Sequence, residues 1–178
     1  MGRTIIVSRR HDRLGQLIMK KMYDAVAVSG PKLNFQQGDQ LCWLPEVSEP
    51  VDEEVQALVA QIDQAVFTPQ KIVMLSMAGT ADDASLGQLQ RWYGKGAQEY
   101  LWAHQYAIKM IDELELPYTV IRALPLTTTS RPAVITSEGQ AVTGQGVSEE
   151  TLVGVIEQAL LTDRYRNQSI GVSAKEED

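Results

Sequence analysis

The segment "TIIVSRRHDRLGQL" (residues 4–17) joins a β-branched run to an apolar pattern with helical spacing. Its first part, Thr4–Ser8, predicts a short buried strand, and Arg13–Met22 predicts a helix with one apolar face. Only a few residues separate the two, so the strand passes into the helix through a tight turn. Such a strand–turn–helix unit is typical of α/β folds, in which the turn places a helix N-terminus at the carboxyl end of a strand.

The turn itself has an unusual composition for such a fold. Turns of this kind usually contain glycines, because a phosphate group has to approach the backbone N–H groups of the helix N-terminus closely. Here the turn contains Ser8, Arg9, Arg10, His11 and Asp12. Two interpretations stay open. The arginines, together with Arg13, either capture a phosphate through their planar guanidinium groups or form a solvated basic turn that has lost its phosphate site. His11 is interpreted as a surface histidine and Asp12 as the helix N-cap.

The amino-acid composition indicates one globular domain. The chain has 178 residues, of which 44% are apolar and 22% are charged, and its net charge is −7. This acidic balance argues against nonspecific binding to nucleic acid or to an anionic membrane, since both require a cationic surface. The single cysteine, Cys42, cannot form an intramolecular disulfide, and its position within a predicted strand favours core packing. Because no leader is recognisable before Thr4, the expected location is cytoplasmic.

Strand and helix patterns alternate along the rest of the chain. Short apolar runs predict strands at Asp24–Val28, Gln40–Leu44, Lys71–Ser76, Pro117–Arg122 and Ser169–Val172, with accessory strands at Ala133–Ile135 and Ala141–Thr143. Helical spacing predicts helices from Asp52 to Val66, from Gln88 to Glu115, and from a cap at Ser148 to Leu161. This order predicts an α/β fold of three layers, with a mainly parallel sheet covered by helices on both faces. One crossover is expected to be shortened, since Gly30–Asp39 is too short for a helix and its connections.

The loops that follow the predicted strands define the expected ligand site. In parallel sheets, ligands bind beyond the carboxyl ends of the strands, at the point where the strand order reverses. The loops concerned are Ser8–Arg13, Ser29–Gly30, Leu44–Pro45, Ser76–Thr80 and Leu124–Thr129. We expect them to surround one common crevice.

Three longer segments carry a resemblance to a known family. They are "KIVMLSMAGTAD" (71–82), "IKMIDELELPYTVIRALPL" (108–126) and "GQGVSEETLVGVIEQALLTDRYRNQSIGV" (144–172). In this order they resemble the atypical short-chain dehydrogenase/reductase superfamily, especially its small NmrA-like, NAD(P)H-binding branch. The resemblance implies a Rossmann-like fold that is shortened in the N-terminal half. It also implies a single NAD(P)-binding domain over residues 1–172, followed by a solvated tail over residues 173–178.

The resemblance implies which residues would contact a dinucleotide. The glycine-rich turn of the family, G-x-x-G-x-x-G, falls on residues 9–15, where only Gly15 is a glycine. Ser76 matches a serine at the end of a strand whose hydroxyl contacts a substrate carbonyl or the nicotinamide ribose, and it is the candidate catalytic residue. The implied cofactor-binding residues are Ser8, Arg9, Arg10, Arg13, Gly15, Leu44, Ser76, Met77, Leu124 and Pro125. No metal site is expected.

One element of the family's catalytic machinery is absent from the sequence. Classical members of the superfamily transfer a proton through a Tyr-x-x-x-Lys pair, which atypical members often lack, and the aligned positions here hold Leu101 and Gln105. Tyr106 and Lys109 lie nearby and are spaced three residues apart instead of four. Arg122 does match the arginine of the family's "YTilRP" strand. The sequence therefore leaves open whether the chain is an enzyme.

Two functional hypotheses remain open. In the first, the chain is an NAD(P)-binding oxidoreductase-like protein that holds NADP or NAD weakly or in an altered manner. It then acts as a sensor, or as an NAD(P)H-dependent reductase of a small-molecule substrate. In the second, the cofactor site is lost and the Rossmann scaffold serves as a regulatory or protein-interaction module. The long helices beside the sheet offer a homodimer face, whereas neither nucleic acid nor membrane is an expected partner.

Overall fold

The computed structural model describes residues 2–30 and 32–176. Its strands are β1 (Thr4–Val7), β2 (Ala25–Val28), β3 (Gln40–Trp43), β4 (Ile72–Met77), β5 (Tyr118–Ala123), β6 (Leu126–Thr127), β7 (Ala133–Thr136), β8 (Val147–Ser148) and β9 (Gln168–Ala174). Its helices are α1 (Leu14–Lys21), α2 (Val51–Gln64), α3 (Leu86–Tyr93), α4 (Ala97–Asp112) and α5 (Glu149–Leu161). Strands and helices therefore alternate over most of the chain, as the sequence predicts.

The main sheet of the described chain has the strand order β2-β1-β3-β4-β5-β9-β7. Neighbouring strands are parallel from β2 to β9, and β7 pairs with β9 in the antiparallel direction. The central strand β4 is buried at all six positions from Ile72 to Met77, which explains its unbroken apolar sequence. The prediction of an α/β fold with a mainly parallel sheet is confirmed.

Helices cover both faces of this sheet. On one face α1 and α5 pack together, with Leu14 and Ile156 in a common buried cluster. On the other face α2 packs against α4, with Val55 and Ile111 in a second cluster. Cys42 is fully buried in the first cluster, in line with core packing, and burial raises the pKa of its thiol to about 12. The expected three layers are therefore present.

The N-terminal half of the fold is shortened, as expected. The usual order of a dinucleotide-binding sheet has a further strand beyond β2, reached through a helix. In this chain β2 is the edge strand, and the described residues between β2 and β3 contain no helix. The segment is instead fixed by Phe35, which is buried, and by Asp39, whose Oδ1 accepts the backbone N–H of Arg3 at 2.9 Å. The guanidinium of Arg3 beside Asp39 also keeps the pKa of that carboxyl below its usual value, although burial acts in the opposite direction.

The prediction of one long helix over Gln88–Glu115 is wrong. Two helices, α3 and α4, occupy this region, because Gly94 has a φ of +79° and ends α3. Gly96 then precedes α4, where a Cβ atom would come within 2.8 Å of the Tyr100 ring. The start of α3 also lies earlier than predicted. Ser85 caps it by accepting the N–H of Gln88 at 3.2 Å, and the Gln88 side chain accepts the N–H of Ser85 at 2.8 Å.

Three smaller expectations also differ from the structure. Ala141–Thr143 forms no strand, because the N–H of Val142 donates to the Asp83 carbonyl at 3.0 Å instead of joining a ladder. Val66 lies beyond the end of α2 and is exposed, so it is not part of that helix's apolar stripe. The solvated tail predicted for 173–178 begins later, since residues 173 and 174 belong to β9 and pair with β7. Residues 177 and 178 lie outside the described residues.

The predicted helix from Ser148 to Leu161 is confirmed, with the Ser148 hydroxyl accepting the Thr151 N–H at 3.1 Å.

A buried ion pair ties three parts of the chain together beside the sheet. Arg122 of β5 and Asp83 of the loop between β4 and α3 are both fully buried and bonded to each other. Arg122 also donates from Nε to the Ser169 hydroxyl at 2.9 Å and from Nη2 to the Ser169 carbonyl at 3.1 Å. Asp83 accepts the N–H of Gly79 at 2.7 Å. The arginine of the family's strand motif therefore has a structural role in this chain.

We expect removal of one member of this pair to destabilise the protein strongly. Asp83→Asn and Arg122→Met should each lower the free energy of unfolding by about 3–5 kcal/mol, because each leaves a charge buried without its partner. The double variant should lose less than the sum of the two. Urea unfolding of the wild type and the three variants measures this double-mutant cycle.

The exposed pair Lys109–Glu113 provides the matched control. Its Nζ and Oε1 atoms lie 3.9 Å apart at the surface of α4. Lys109→Ala should change the free energy of unfolding by about 0.5 kcal/mol or less, since solvent screens an exposed pair. An additive effect of the Asp83 and Arg122 substitutions would contradict the proposed coupling.

Candidate functional site

Two pockets at the carboxyl edge of the sheet, both among the described residues, are lined by predicted site residues. The first, the switch-point pocket, lies where the strand order reverses around β1 and is lined by Ser8, Arg9, Ser29, Leu44, Glu49 and Glu54 among others. The second, the Ser76 pocket, lies beyond β4 and β5, has a volume of about 200 Å³ and is lined by Arg10, Val47, Ser76, Tyr93, Leu124 and Pro125 among others. Residues of the predicted post-strand loops line both pockets, and Arg9 and Arg10 of one turn line one each.

The turn after β1 lies between the two pockets. Arg9 lines the switch-point pocket, donating from Nε to the Ser29 carbonyl at 3.2 Å, and its Nη1 lies 4.0 Å from Oε1 of Glu54. The next residue, Arg10, lines the Ser76 pocket and donates from Nη1 to the Pro45 carbonyl at 2.6 Å. Two consecutive arginines thus face two different pockets.

Asp12 is the main partner of Arg10. Its carboxylate accepts three hydrogen bonds from the Arg10 guanidinium: Nε donates to Oδ1 at 3.1 Å and to Oδ2 at 2.9 Å, and Nη2 donates to Oδ2 at 2.7 Å. The same carboxylate accepts the N–H of Leu14, the first residue of α1, at 3.1 Å. Arg13, not Asp12, is the N-cap residue by position, although the capping hydrogen bond comes from Asp12. A carboxylate of the chain itself therefore lies at the helix N-terminus, where such folds usually hold a phosphate.

Arg13 and Gly15 lie outside both pockets. Arg13 is exposed, and its Nη2 lies 3.3 Å from the Glu149 carboxylate of α5. Gly15 is in the first turn of α1 above β1, where a Cβ atom would be 3.7 Å from the Cβ of Ser8. This is an ordinary contact distance. The one glycine of the motif that the sequence retains is therefore at the helix–strand packing position, away from the phosphate position.

The remaining predicted site residues are divided between the pockets and the core. Leu44 lines the switch-point pocket, while Leu124 and Pro125 line the Ser76 pocket. Met77 is fully buried with Leu89 and lines neither pocket. The structure thus brings the backbone of Met77 to the strand end but directs its side chain into the core.

Ser76 forms a buried pair with a histidine that the sequence analysis did not identify. Its Oγ lies 2.9 Å from Nδ1 of His104 on α4, and Nε2 of His104 lies 3.1 Å from the Val47 carbonyl. His104 is fully buried, and burial lowers its pKa to about 4 although the bond to Val47 acts in the opposite direction. The imidazole is therefore neutral at physiological pH. It forms a hydrogen bond with the Ser76 hydroxyl through Nδ1.

A signal for His104 is present in the sequence. It lies three residues before Ala107 and seven before Ile111, so it falls on the apolar face of the predicted helix. A polar side chain on such a face requires a partner in the core. The contact with Ser76 spans 28 positions, however, and only the packing of α4 on β4 brings the two side chains together.

Two carboxylates lie close together in the switch-point pocket. Burial, with the neighbouring Glu49 carboxylate, raises the pKa of Glu54 to about 7, and the nearby Arg9 acts in the opposite direction. Glu49 also accepts the N–H of Glu46 at 3.0 Å. The pocket is therefore polar at its α2 side, where it offers carboxyl groups to a ligand that carries hydroxyl or amino donors.

The positions aligned with the Tyr-x-x-x-Lys pair show no catalytic geometry. Leu101 packs in the small cluster around Met77, and Gln105 donates from Nε2 to the Thr80 carbonyl at 3.3 Å. Tyr106 is partly exposed and accepts a hydrogen bond from Gln56 at 3.2 Å, and Lys109 is exposed near Glu113.

Within residues 2–30 and 32–176, no group of three His, Cys, Asp or Glu side chains could hold a metal ion. Helices long and apolar enough to cross a membrane are likewise absent from these ranges.

A family model described as "NAD(P)H-binding" matches residues 19–163. The chain belongs to this NAD(P)H-binding family. The match begins within α1, so the arginine-containing turn lies outside it. The resemblance to an NAD(P)H-binding family is thus confirmed, as is the Rossmann-like α/β fold.

Solved structures with the same fold include several oxidoreductases. A short-chain dehydrogenase/reductase from Veillonella parvula in complex with NADP has 15% identity and a TM-score of 0.71, with 97% of this chain and 95% of that chain covered. A Rossmann-fold NAD(P)-binding family protein from Shigella flexneri has 13% identity and a TM-score of 0.72, with 100% and 96% covered. ChuY, an anaerobillin reductase from Escherichia coli O157:H7, has 11% identity and a TM-score of 0.73, with 98% of each chain covered. At these identities the likeness establishes the fold alone. No curated protein matches the sequence.

His104 and Glu54 should affect the pH dependence of stability in opposite directions. The pKa of His104 is about 4 in the folded chain against 6.5 in the unfolded chain, so the unfolded chain binds more protons in this window and stability falls as pH falls. The pKa of Glu54 is about 7 when folded against 4.5 when unfolded, so stability rises as pH falls through that window. The two effects oppose each other in the wild type.

We therefore expect single substitutions to separate these two effects. Between about pH 7 and about pH 5, His104→Gln should remove an acid-induced loss of about 2 kcal/mol, so that its free energy of unfolding falls less with acid than that of the wild type. Glu54→Gln should make the fall steeper. Urea unfolding over this pH range measures the slopes. His11→Gln, which replaces an exposed imidazole, is the matched control, and a wild-type slope in His104→Gln would contradict the buried neutral state.

Proposed function

We propose that the chain binds a nicotinamide dinucleotide along the carboxyl edge of its sheet and uses it in an oxidoreductase reaction on a small molecule. The observation that carries this proposal is the division of the edge into two pockets by one turn. Arg9 lines the switch-point pocket and Arg10 lines the Ser76 pocket. A dinucleotide has the same arrangement, since its diphosphate joins an adenosine half to a nicotinamide half. Two of the similar structures support the proposal, since one holds NADP and another is a reductase.

In this arrangement, arginine side chains bind the diphosphate in place of the backbone N–H groups that a glycine-rich turn would expose. The guanidinium groups of Arg9 and Arg10 would hold the diphosphate, and the switch-point pocket would hold the adenosine half. The Ser76 pocket would receive the nicotinamide half between apolar walls that include Leu75, Leu124 and Leu126. When bound, the reduced dinucleotide supplies a hydride, and the chain contributes orientation and the exclusion of water.

The same residues make this cofactor site an altered one. Arg10 already donates to Asp12, and that carboxylate occupies the N-terminus of α1. A diphosphate entering here meets a like charge and competes with Asp12 for the guanidinium. We therefore propose binding that is weaker than in relatives with a glycine-rich turn, and that depends on side chains more than on backbone N–H groups.

Titration calorimetry with NADH and NADPH tests this proposal. We expect the wild type to bind at least one of them, and Arg10→Ala to weaken its binding roughly tenfold or more, as expected for the loss of a charge-assisted hydrogen bond. Asp12→Asn should tighten binding, because it removes the competing negative charge while keeping a side-chain oxygen for the Leu14 N–H. Lys20→Ala, which removes a positive charge from an exposed position of α1, should bind like the wild type and is the matched control.

A second candidate function is favoured by the Asp12 carboxylate. The chain already provides an anion for Arg10 and for the first N–H of α1, so the turn is satisfied without a ligand. This supports a scaffold that acts without a cofactor, as a regulatory or interaction module. Absence of binding by the wild type and by Asp12→Asn at millimolar NADH and NADPH would reject the oxidoreductase proposal and leave this second function.

We also propose that a second copy of the chain packs on the outer face of α2 and α4. Trp102 is 59% exposed on α4, and Tyr106 is partly exposed one turn further along. Both lie over a shallow groove that Asp52 and Gln56 of α2 also line.

The dimer proposal predicts a change of mass on substitution. Trp102→Glu should convert a dimer into a monomer in sedimentation-velocity measurements, because it replaces the exposed indole with a further negative charge beside Asp52 and Glu99 of the same groove. Tyr23→Glu changes a fully exposed tyrosine elsewhere on the surface and should leave the mass unchanged. A monomeric wild type at the concentrations used for calorimetry would contradict the proposal.

A further inference from the structure

The hydrogen bonds of His104 determine where the Ser76 hydroxyl directs its proton. Nε2 of His104 lies 3.1 Å from the Val47 carbonyl oxygen, which can only accept, so Nε2 carries a proton. A neutral imidazole has a single N–H, so Nδ1 is an acceptor, and it lies 2.9 Å from Ser76 Oγ. Ser76 therefore donates its only O–H to His104.

Burial keeps this arrangement in place. His104 is fully buried, and its two hydrogen-bond partners, the Val47 carbonyl and the Ser76 hydroxyl, are both uncharged. Protonation of Nδ1 would reverse the bond to Ser76, but burial lowers the pKa of the imidazole to about 4. At physiological pH the direction of the bond is fixed.

The direction of the Ser76–His104 hydrogen bond determines which ligand groups the Ser76 oxygen can bind. With its proton committed to His104, the Ser76 oxygen presents lone pairs to the pocket it lines. An oxygen of this kind accepts a hydrogen bond from an N–H or O–H group and repels a carbonyl oxygen. A Ser76 hydroxyl oriented in this way does not donate to a substrate carbonyl, the contact that the family resemblance implies, so a carbonyl in this pocket needs a different donor.

Tyr93 is such a donor in the same pocket. It is the last residue of α3, and it lines the Ser76 pocket together with Arg10. Burial raises the pKa of its hydroxyl above the usual value, while the nearby Arg10 acts in the opposite direction. The phenol is therefore protonated at physiological pH and can donate to an acceptor.

We propose that the Ser76 pocket recognises a planar amide, with Ser76 accepting its N–H and Tyr93 donating to its C=O. The inference rests on the proposed function, in which this amide is the carboxamide of the nicotinamide ring. A carboxamide carries both complementary groups on one rigid unit. Ser76 and Tyr93 then act together to orient the ring, and His104 is a positioning residue that fixes the Ser76 proton.

Nuclear magnetic resonance of the histidine side chains tests the first step without any ligand. Long-range 1H–15N correlation should show the Nε2–H tautomer for His104 near neutral pH, with the signals assigned by comparison with His11→Gln. Ser76→Ala should shift the Nδ1 resonance and leave the tautomer unchanged. A proton on Nδ1 of the wild type would overturn the inference, whatever the chain binds.

The second step is tested with a matched pair of dinucleotides. The reduced 3-acetylpyridine analogue of NADH replaces the amide NH2 by a methyl group and keeps the carbonyl. We expect the wild type to bind NADH roughly tenfold more tightly than this analogue, and Ser76→Ala to bind the two about equally. Tyr93→Phe should weaken both by a similar factor and keep the preference, because both ligands carry the carbonyl.

Ser173→Ala is the matched control for this experiment. It removes another buried serine hydroxyl, one without a hydrogen-bond partner among the described residues, and Ser173 does not line the Ser76 pocket. This variant should retain the wild-type preference. If Ser76→Ala also retains it, or if the wild type binds both dinucleotides equally, the inference is overturned while the proposed function stands. If the wild type binds neither dinucleotide, the proposed function is rejected, and the inference that rests on it is rejected as well.

Discussion

The ion pair between Arg122 and Asp83 is the interaction on which the carboxyl edge of the sheet depends. Two charges removed from water destabilise a protein unless each finds its full set of partners. Arg122 reaches from β5 to Ser169 on β9, and Asp83 holds the backbone of the loop that leads into α3. The loop fixed in this way precedes the helix that carries Tyr93, and β4 beside it carries Ser76, so the ion pair supports the pocket without lining it.

Much of the fold could be predicted because periodicity and turn residues are local properties. The apolar run of β4 and the acid-rich start of α2 each specify one element without help from the rest of the chain. The division between α3 and α4 also has a local cause in Gly94 and Gly96, but the apolar pattern on either side masked it. The irregular segment around Val142 could not be predicted, since its backbone N–H bonds to the carbonyl of Asp83, a residue distant in the sequence.

The site was less predictable, for a physical reason. The sequence indicates Ser76 through its place at a strand end and the arginines through their place in a turn, and the structure puts Ser76, Arg9 and Arg10 at the pockets. What these groups do depends on partners from other elements. The partner of Ser76 is His104 on α4, and the charge near Arg9 comes from Glu54 on α2. Hydrogen-bond direction and charge balance are properties of packed side chains, so they become visible only when the helices have been placed.

The Asp12–Arg10 pair gives the crevice an internal counter-ion. The charge of Arg10 is balanced before any ligand arrives, so a small inorganic anion gains little by entering and must first compete with a carboxylate that is already tethered. A tethered competitor acts at a high effective concentration. A ligand that adds contacts in both pockets to its negative charge competes better with Asp12 than a free anion does. In the proposed binding mode, the Asp12–Arg10 pair would therefore favour an entire dinucleotide over free phosphate.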